Sequence, residues 1–234
     1  MLLPRLREEV LEANLELVRR GLVLYTFGNA SGVSRDQKLV VIKPSGVPYE
    51  EMKPEHLVVT DLDGKIVEGV LRPSSDLPTH LVLYHAFPGI GGVTHSHSEY
   101  ATAWAQARQP IPCFGTTHAD YFHGPVPVTG VMSDNAIVSE YEKNTGHAIV
   151  QAFEKVGYAA VPAVLVANHG AFTWGQDVGT AAHNAVVLEA VARMAYFTIR
   201  INQAAEPIGG GLHDKHYLRK HGSDAYYGQA KEKK

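Results

Sequence analysis

The chain reads as one α+β domain built on antiparallel strand pairs. Short extended segments arrive side by side early on, two of them joined by the Asp63-Gly64 turn, a strong hairpin signal between apolar runs. Helical and extended stretches then mix without the regular βαβ rhythm of a parallel sheet. No repeat, low-complexity stretch or linker divides the 234 residues, so a single domain over 1–234 is expected.

Leu3, Leu6, Val10, Ala13 and Leu17 step by three and four, marking the apolar face of a first helix. Arg5, Glu8, Glu12, Glu16 and Arg19 fill its other faces, and Gly21 can take the left-handed conformation that ends it. Lys38 to Lys43, Leu57 to Thr60 and Ile66-Val67 follow as strands. A helix is predicted from about Leu77 to Phe87, capped by Ser74, Ser75 or Asp76, with Pro78 in the first turn where a missing amide hydrogen does no harm. An apolar strand then reaches His95, Glu99 to Ala107 is helical, and Ile111 to Pro127 forms short strands and loops. A helical region over Asn135 to Val156 precedes a strand, Ala163 to Asn168, that ends at His169. Asp177 to Arg200 is the longest helix, and its Ala, Val and Leu surface calls for burial. Leu212 to Gly228 is a polar-aromatic tail, ill suited to a core but able to cover a neighbouring surface.

Composition narrows the class. Apolar content of 45% with 19% charged residues suits a globular chain with a substantial core. A net charge of −3 offers no general attraction to nucleic acid or anionic lipid, and Lys215, Arg219 and Lys220 alone make no basic footprint. The single cysteine, Cys113, excludes an internal disulfide framework and suits a reducing compartment. Charges interrupt any signal-peptide core near the N-terminus, and no run approaches about 18 continuous apolar residues. A soluble cytoplasmic protein is expected.

The chemistry centres on His95 and His97. Two positions apart on a strand, their side chains share a face; on a helix they would diverge by about 200°. His169 ends a second apolar strand, and three imidazoles at strand ends are the donor set of a catalytic metal site with an open position. An isolated His-X-His pair is more often an ordinary surface or core feature; the third histidine and the Asp76 carboxylate tip the balance toward a metal. His56, His85, His147 and His183 are assigned to packing or surface.

Three small-residue loops are candidate anion sites: Gly28-Asn29-Ala30-Ser31-Gly32, Lys43-Pro44-Ser45-Gly46 and Arg72-Pro73-Ser74-Ser75. Glycine admits an anion close to backbone amides, and a helix N-terminus at Ser74-Ser75 would add its dipole. Each alone reads first as a turn; only convergence in space makes a pocket. Asp76 is either a carboxylate at a helix start or a ligand flanking the metal. Asp120 is a loop cap or an acid–base group, and Tyr227 a packing residue or a proton donor.

Read in order, Lys43-Pro44-Ser45-Gly46, Pro73 to His80, His95-Ser96-His97-Ser98, Gly115 to Tyr121 and Asp214 to Gly222 resemble the L-ribulose-5-phosphate 4-epimerase branch of the class II aldolase and adducin superfamily. The likeness spans nearly the whole chain, from Leu11 to Gly228; Ala230 to Lys234 lies beyond it and reads as a disordered end. The His-X-His element marks only the superfamily, while the Asp120 motif and the tail mark the branch. The resemblance implies a three-layer α/β/α fold with a mainly antiparallel central sheet, assembled as a homotetramer. In it the tail of one subunit, 212–228, completes a neighbour's site. It assigns His95, His97 and His169 to a divalent cation, expected to be zinc, with Asp76 at a fourth position. Gly28, Asn29, Lys43, Ser45, Gly46, Ser74 and Ser75 match the substrate and phosphate pocket. Asp120 and Tyr227 match a proton-transfer pair, and His216 and Arg219 match supporting tail residues.

The implied activity is metal-dependent interconversion of L-ribulose 5-phosphate and D-xylulose 5-phosphate by cleaving and remaking C3–C4, with arabinose catabolism as the expected setting. The alternatives are a fuculose- or rhamnulose-phosphate type aldolase and, in another class altogether, a non-catalytic adducin-like interaction module. Those aldolases carry Glu near the position of Asp76, and the shorter Asp favours epimerisation. Retention of all three histidines argues against the non-catalytic module.

Overall fold

The computed structural model describes residues 1–228, and the end expected at Ala230 to Lys234 lies outside them. Helix α1 (Pro4–Arg19) leads into four strands, β1 (Asn29–Ser34), β2 (Leu39–Ile42), β3 (Val58–Asp61) and β4 (Ile66–Glu68). Helix α2 (Leu77–Ala86), strand β5 (Gly92–Ser96), helix α3 (Glu99–Ala107) and the short α4 (Thr116–Ala119) follow. Helices α5 (Asp134–Val138) and α6 (Tyr141–Ala152) precede the hairpin of β6 (Ala163–Val166) and β7 (Gly170–Gly175). The long α7 (Val178–Ile201) and the tail helix α8 (Gly210–His221) complete the order.

All seven strands join one sheet in the order β4-β3-β2-β1-β5-β7-β6, with every neighbouring pair antiparallel. Period-two alternation divides the side chains between two cores. Val40, Ile42 and Val58 meet α2 and α6 through Leu81, Tyr84 and Ile149. Val41 and Val59 meet α1 and the start of α7 through Val10, Leu17, Val178 and Ala182. The result is the three-layer α/β/α arrangement the resemblance implied, around a wholly antiparallel sheet.

Buried polar contacts tie α1 to this sheet. Asn14 donates to Val10 O and Ala30 O, while Ala30 N donates back to Asn14 Oδ1 at 2.9 Å. Arg7 is buried and donates to the carbonyls of Leu2, Pro54 and Leu57 and to Glu68. These bonds hold β1 in place, and β1 sets Asn29 directly opposite His95. Among the described residues no helix is long and apolar enough to cross a membrane.

The structure departs from the local expectations in four places. Gly28 to Gly32 belongs to a central strand from Asn29 onward, not to a loop. Its small residues reflect close packing: a Cβ at Gly32 would stand 2.8 Å from the Leu6 side chain. Strand β7 escaped the sequence reading because glycines bound it and a tight turn joins it directly to β6. The helical stretch after Asn135 is two helices broken at Ser139-Glu140, and the tail is largely helical.

Candidate metal centre and substrate cleft

His95 lies on β5, with His97 just beyond the strand end. His169 sits in the turn between β6 and β7, where Asn168 takes φ 63°, a left-handed conformation Asn tolerates. Because β5 pairs with β7, the turn delivers His169 to the same place as the His-X-His pair. The three ring centroids stand 4.8, 4.8 and 4.9 Å apart, and His95 Nε2 is 3.0 Å from His97 Nε2. Gly170 makes this approach possible: a Cβ there would lie 2.7 Å from Ser96 O and 3.2 Å from the His97 ring.

The three rings are kept neutral, the form in which an imidazole can bind a metal. His95 Nδ1 donates to Ala171 O at 2.9 Å, which leaves the Nε2 lone pair facing the other two rings. Burial pushes His95 down to about 3, and burial also lowers His97 and His169. The Tyr141 hydroxyl lies 3.1 Å from His169 Nδ1. Asp76 borders the same space. Burial alone would raise its carboxyl, but the His95 and His80 rings and a hydrogen bond from Asn29 outweigh that and hold it low.

These groups open on a cleft of about 400 Å³. Gly28, Asn29, Lys43, Ser45, Gly46, Ser74 and Ser75 line it together with Asp76 and the three histidines. The two serine loops converge because Pro44 and Pro73 form a β-bridge, with Ser45 N donating to Arg72 O and Ser74 N to Lys43 O. Asn29 Nδ2 donates to Ser74 Oγ and Asp76 Oδ2, while its buried Oδ1 has no partner among the described residues. Lys43 is buried at the end of β2 over the Tyr49 ring, and burial lowers its ammonium to about 8. The charge is therefore largely kept at neutral pH. Ser74 and Ser75 immediately precede the N-terminus of α2, a position that favours an anion.

Asp120, Tyr227, His216 and Arg219 do not line this cleft; they gather at α8. Asp120, at the end of α4, accepts from Arg219 through both oxygens and from His216, with Lys220 Nζ 3.8 Å away. The Tyr227 ring lies against Arg219 and Lys220. Burial would raise the Asp120 carboxyl, but the Arg219 and His216 bonds and the Lys220 charge bring it below the usual range. Tyr141 and Glu142, which also border the cleft, were not singled out in the sequence. Their helix was legible, but nothing in its pattern pointed its first turn at the histidines.

The sequence model of the class II aldolase and adducin N-terminal domain family matches residues 8–196. Two proteins named L-ribulose-5-phosphate 4-epimerase UlaF, from Salmonella paratyphi B and Salmonella paratyphi C, are each 52% identical over 97% of this chain and 100% of their own length. Among solved structures, an L-fuculose 1-phosphate aldolase superposes with TM-score 0.79 at 26% identity, covering 93% of this chain and 96% of that one. YgbL from Klebsiella pneumoniae, titled a putative aldolase/epimerase/decarboxylase, gives TM-score 0.71 at 28% identity, covering 90% and 97%. With the antiparallel sheet and its three convergent histidines in place, the chain belongs to the class II aldolase and adducin N-terminal domain family.

Proposed function

We propose that this protein is a metal-dependent L-ribulose-5-phosphate 4-epimerase. The observation that carries the reading is the full-length match at 52% identity to proteins bearing that name, in a chain whose three imidazoles open on a cleft lined by Lys43, Ser45, Ser74 and Ser75. Zinc as the ion, a homotetramer as the assembly, the cytoplasm as the location and arabinose catabolism as the setting belong to the same reading.

The residues present fit a divalent cation. Three imidazoles, His95 buried, His169 partly buried and His97 exposed, are held neutral, one with its far nitrogen fixed by a backbone carbonyl, beside a carboxylate that stays ionised. His95, His97 and His169 would hold the ion, with Asp76 beside it. When bound, it supplies Lewis-acid stabilisation of oxyanion charge.

The rest follows from substrate chemistry and this chain's side chains. The C4 hydrogen of L-ribulose 5-phosphate is not adjacent to the C2 carbonyl, so inversion cannot proceed by removing it. Cleaving C3–C4 instead gives glycolaldehyde phosphate and the enediolate of dihydroxyacetone. The aldehyde turns, presents its other face and recombines. The C4 hydroxyl proton leaves on one face and returns on the opposite one, so two acid–base groups are needed, and Asp120 and Tyr227 fill those roles. Because both lie outside the cleft of their own chain, they serve a neighbouring subunit's cleft, with His216 and Arg219 setting Asp120. Lys43, Ser45, Gly46, Ser74 and Ser75 hold the phosphate and keep the freed aldehyde in place while it turns. Asn29 orients Ser74 and Asp76 toward the substrate through its amide nitrogen.

The test is direct. Purified, metal-loaded protein given L-ribulose 5-phosphate should produce D-xylulose 5-phosphate, followed by NMR. Absence of conversion by folded protein would refute the reading, and net accumulation of glycolaldehyde phosphate would replace it with an aldolase.

A further inference from the structure

Another group of ligating side chains lies where the first turn of α8 meets the turn after Asp120. We propose that His123, His213 and Asp214 form a second site for a divalent transition-metal ion, zinc being the natural occupant, which fastens α8 to the body of the domain. The donor atoms of all three lie within 4.8 Å of one another. His123 Nε2 is 2.9 Å from Asp214 Oδ1, and His213 Nδ1 is 3.9 Å from the same oxygen. The two imidazoles stack with centroids 4.8 Å apart.

The cluster joins segments remote in sequence. His123 is anchored to the body by its own amide, which donates to Ala160 O, and its ring also packs on Tyr217 with centroids 4.6 Å apart. His213 and Asp214 are consecutive residues of α8. His213 Nε2 accepts from Gly124 N at 3.1 Å and lies 3.2 Å from Phe122 O. An ion at Nδ1 moves the ring proton to Nε2, where the Phe122 carbonyl accepts it in place of the Gly124 bond. Metal-binding imidazoles commonly have this arrangement, the far N–H held by a backbone carbonyl. Two nitrogens and one carboxylate oxygen leave a fourth position for water, and such a set prefers zinc or its transition-metal neighbours over magnesium and calcium. His123 and Asp214 are exposed, so an ion can enter without any opening of the fold.

The site is separate from the cleft, because none of its residues borders the cleft. Its consequence is local: an ion at the first turn of α8 restrains the helix whose His216 and Arg219 hold Asp120. It therefore stands or falls independently of the epimerase assignment.

Zinc stoichiometry, measured by competition with a chromophoric chelator, together with Tm, tests the proposal. The native protein should bind two zinc ions per subunit. His97→Ala, which disables the cleft set, should retain one and should gain Tm on adding zinc but not magnesium. Adding His123→Gln to that variant should abolish both the remaining ion and the Tm gain. Glutamine still reaches toward Asp214 and the site is at the surface, so folding is not at stake; His213→Ala in the same background should behave alike. No zinc bound by His97→Ala, or an ion retained by the combined variants, would overturn the proposal.

Discussion

Arg219 holds Asp120 by both carboxylate oxygens, its Nε donating to Oδ1 at 3.0 Å and its Nη2 to Oδ2 at 2.7 Å. A fork-to-fork pair fixes the plane of the carboxylate as well as its charge. With His216 on the same oxygen as Nε, the tail helix keeps Asp120 ionised and ready to accept a proton. Asp120→Asn removes that capacity and should lower kcat by roughly 10²-fold or more, the usual contribution of an acid–base group. Metal content, measured alongside, should not change. Full activity in Asp120→Asn would remove this residue from the reaction, and an unchanged rate in Tyr227→Phe would remove its counterpart.

Arg219→Lys tests the positioning role separately. Lysine keeps a charge but cannot make the planar pair. Asp120 should then move up toward its ordinary range, and the acid limb of the pH–rate profile should shift to higher pH. An unmoved profile with a reduced rate would mean that Arg219 acts on something other than the carboxylate.

Gly170→Ala reports on the convergence of the histidines. Its new Cβ would meet Ser96 O at 2.7 Å and the His97 and His95 rings at 3.2 and 3.3 Å. Backbone cannot yield as a flexible side chain can, so the rings should separate. Bound metal should fall much more than Tm. Full occupancy in this variant would show that the turn tolerates the methyl group and that the packing argument is wrong.

Lys43 gives the proposed phosphate pocket a pH signature. Burial sets its ammonium near 8, so the charge available to a phosphate fades above that pH. KM for the sugar phosphate should rise above about pH 8 while kcat changes less, and Lys43→Met should raise KM at neutral pH. A KM that stays flat across this range would place the phosphate elsewhere.

Stability in acid follows from buried neutral histidines. His80 and His118 are pushed by burial from 6.5 to about 4. Between those values the unfolded chain binds protons that the folded chain refuses, so stability falls as pH drops from about 6.5 toward 4. Their contribution is complete above 6.5. His118→Gln should flatten this dependence, read as Tm of metal-free protein against pH; an unchanged slope would assign the effect to other groups.

Much of this architecture was legible in the residues. The first helix, the early strands and the long α7 announced themselves through apolar spacing and through punctuation at Gly21, Asp63-Gly64 and Asp177. His95 and His97 were legible because strand periodicity puts alternate side chains on one face. What stayed hidden depends on tertiary contact. β1 looks like a loop because α1 crosses it too closely for large side chains, and β7 is disguised by glycines that admit the neighbouring histidines and α7. The meeting of the Lys43 and Ser74 loops rests on one β-bridge between prolines, which no local pattern encodes. Tyr141 and Glu142 face the cleft only because α6 begins where it does.

The most direct test of the account is to follow epimerase activity during removal and return of the ion, in native protein and in His97→Ala. Native activity should vanish on exhaustive chelation, with the fold intact by circular dichroism. It should recover in proportion to the metal restored at the three-histidine site, while His97→Ala stays inactive throughout. A folded, metal-free protein that turns over L-ribulose 5-phosphate at the native rate would contradict it.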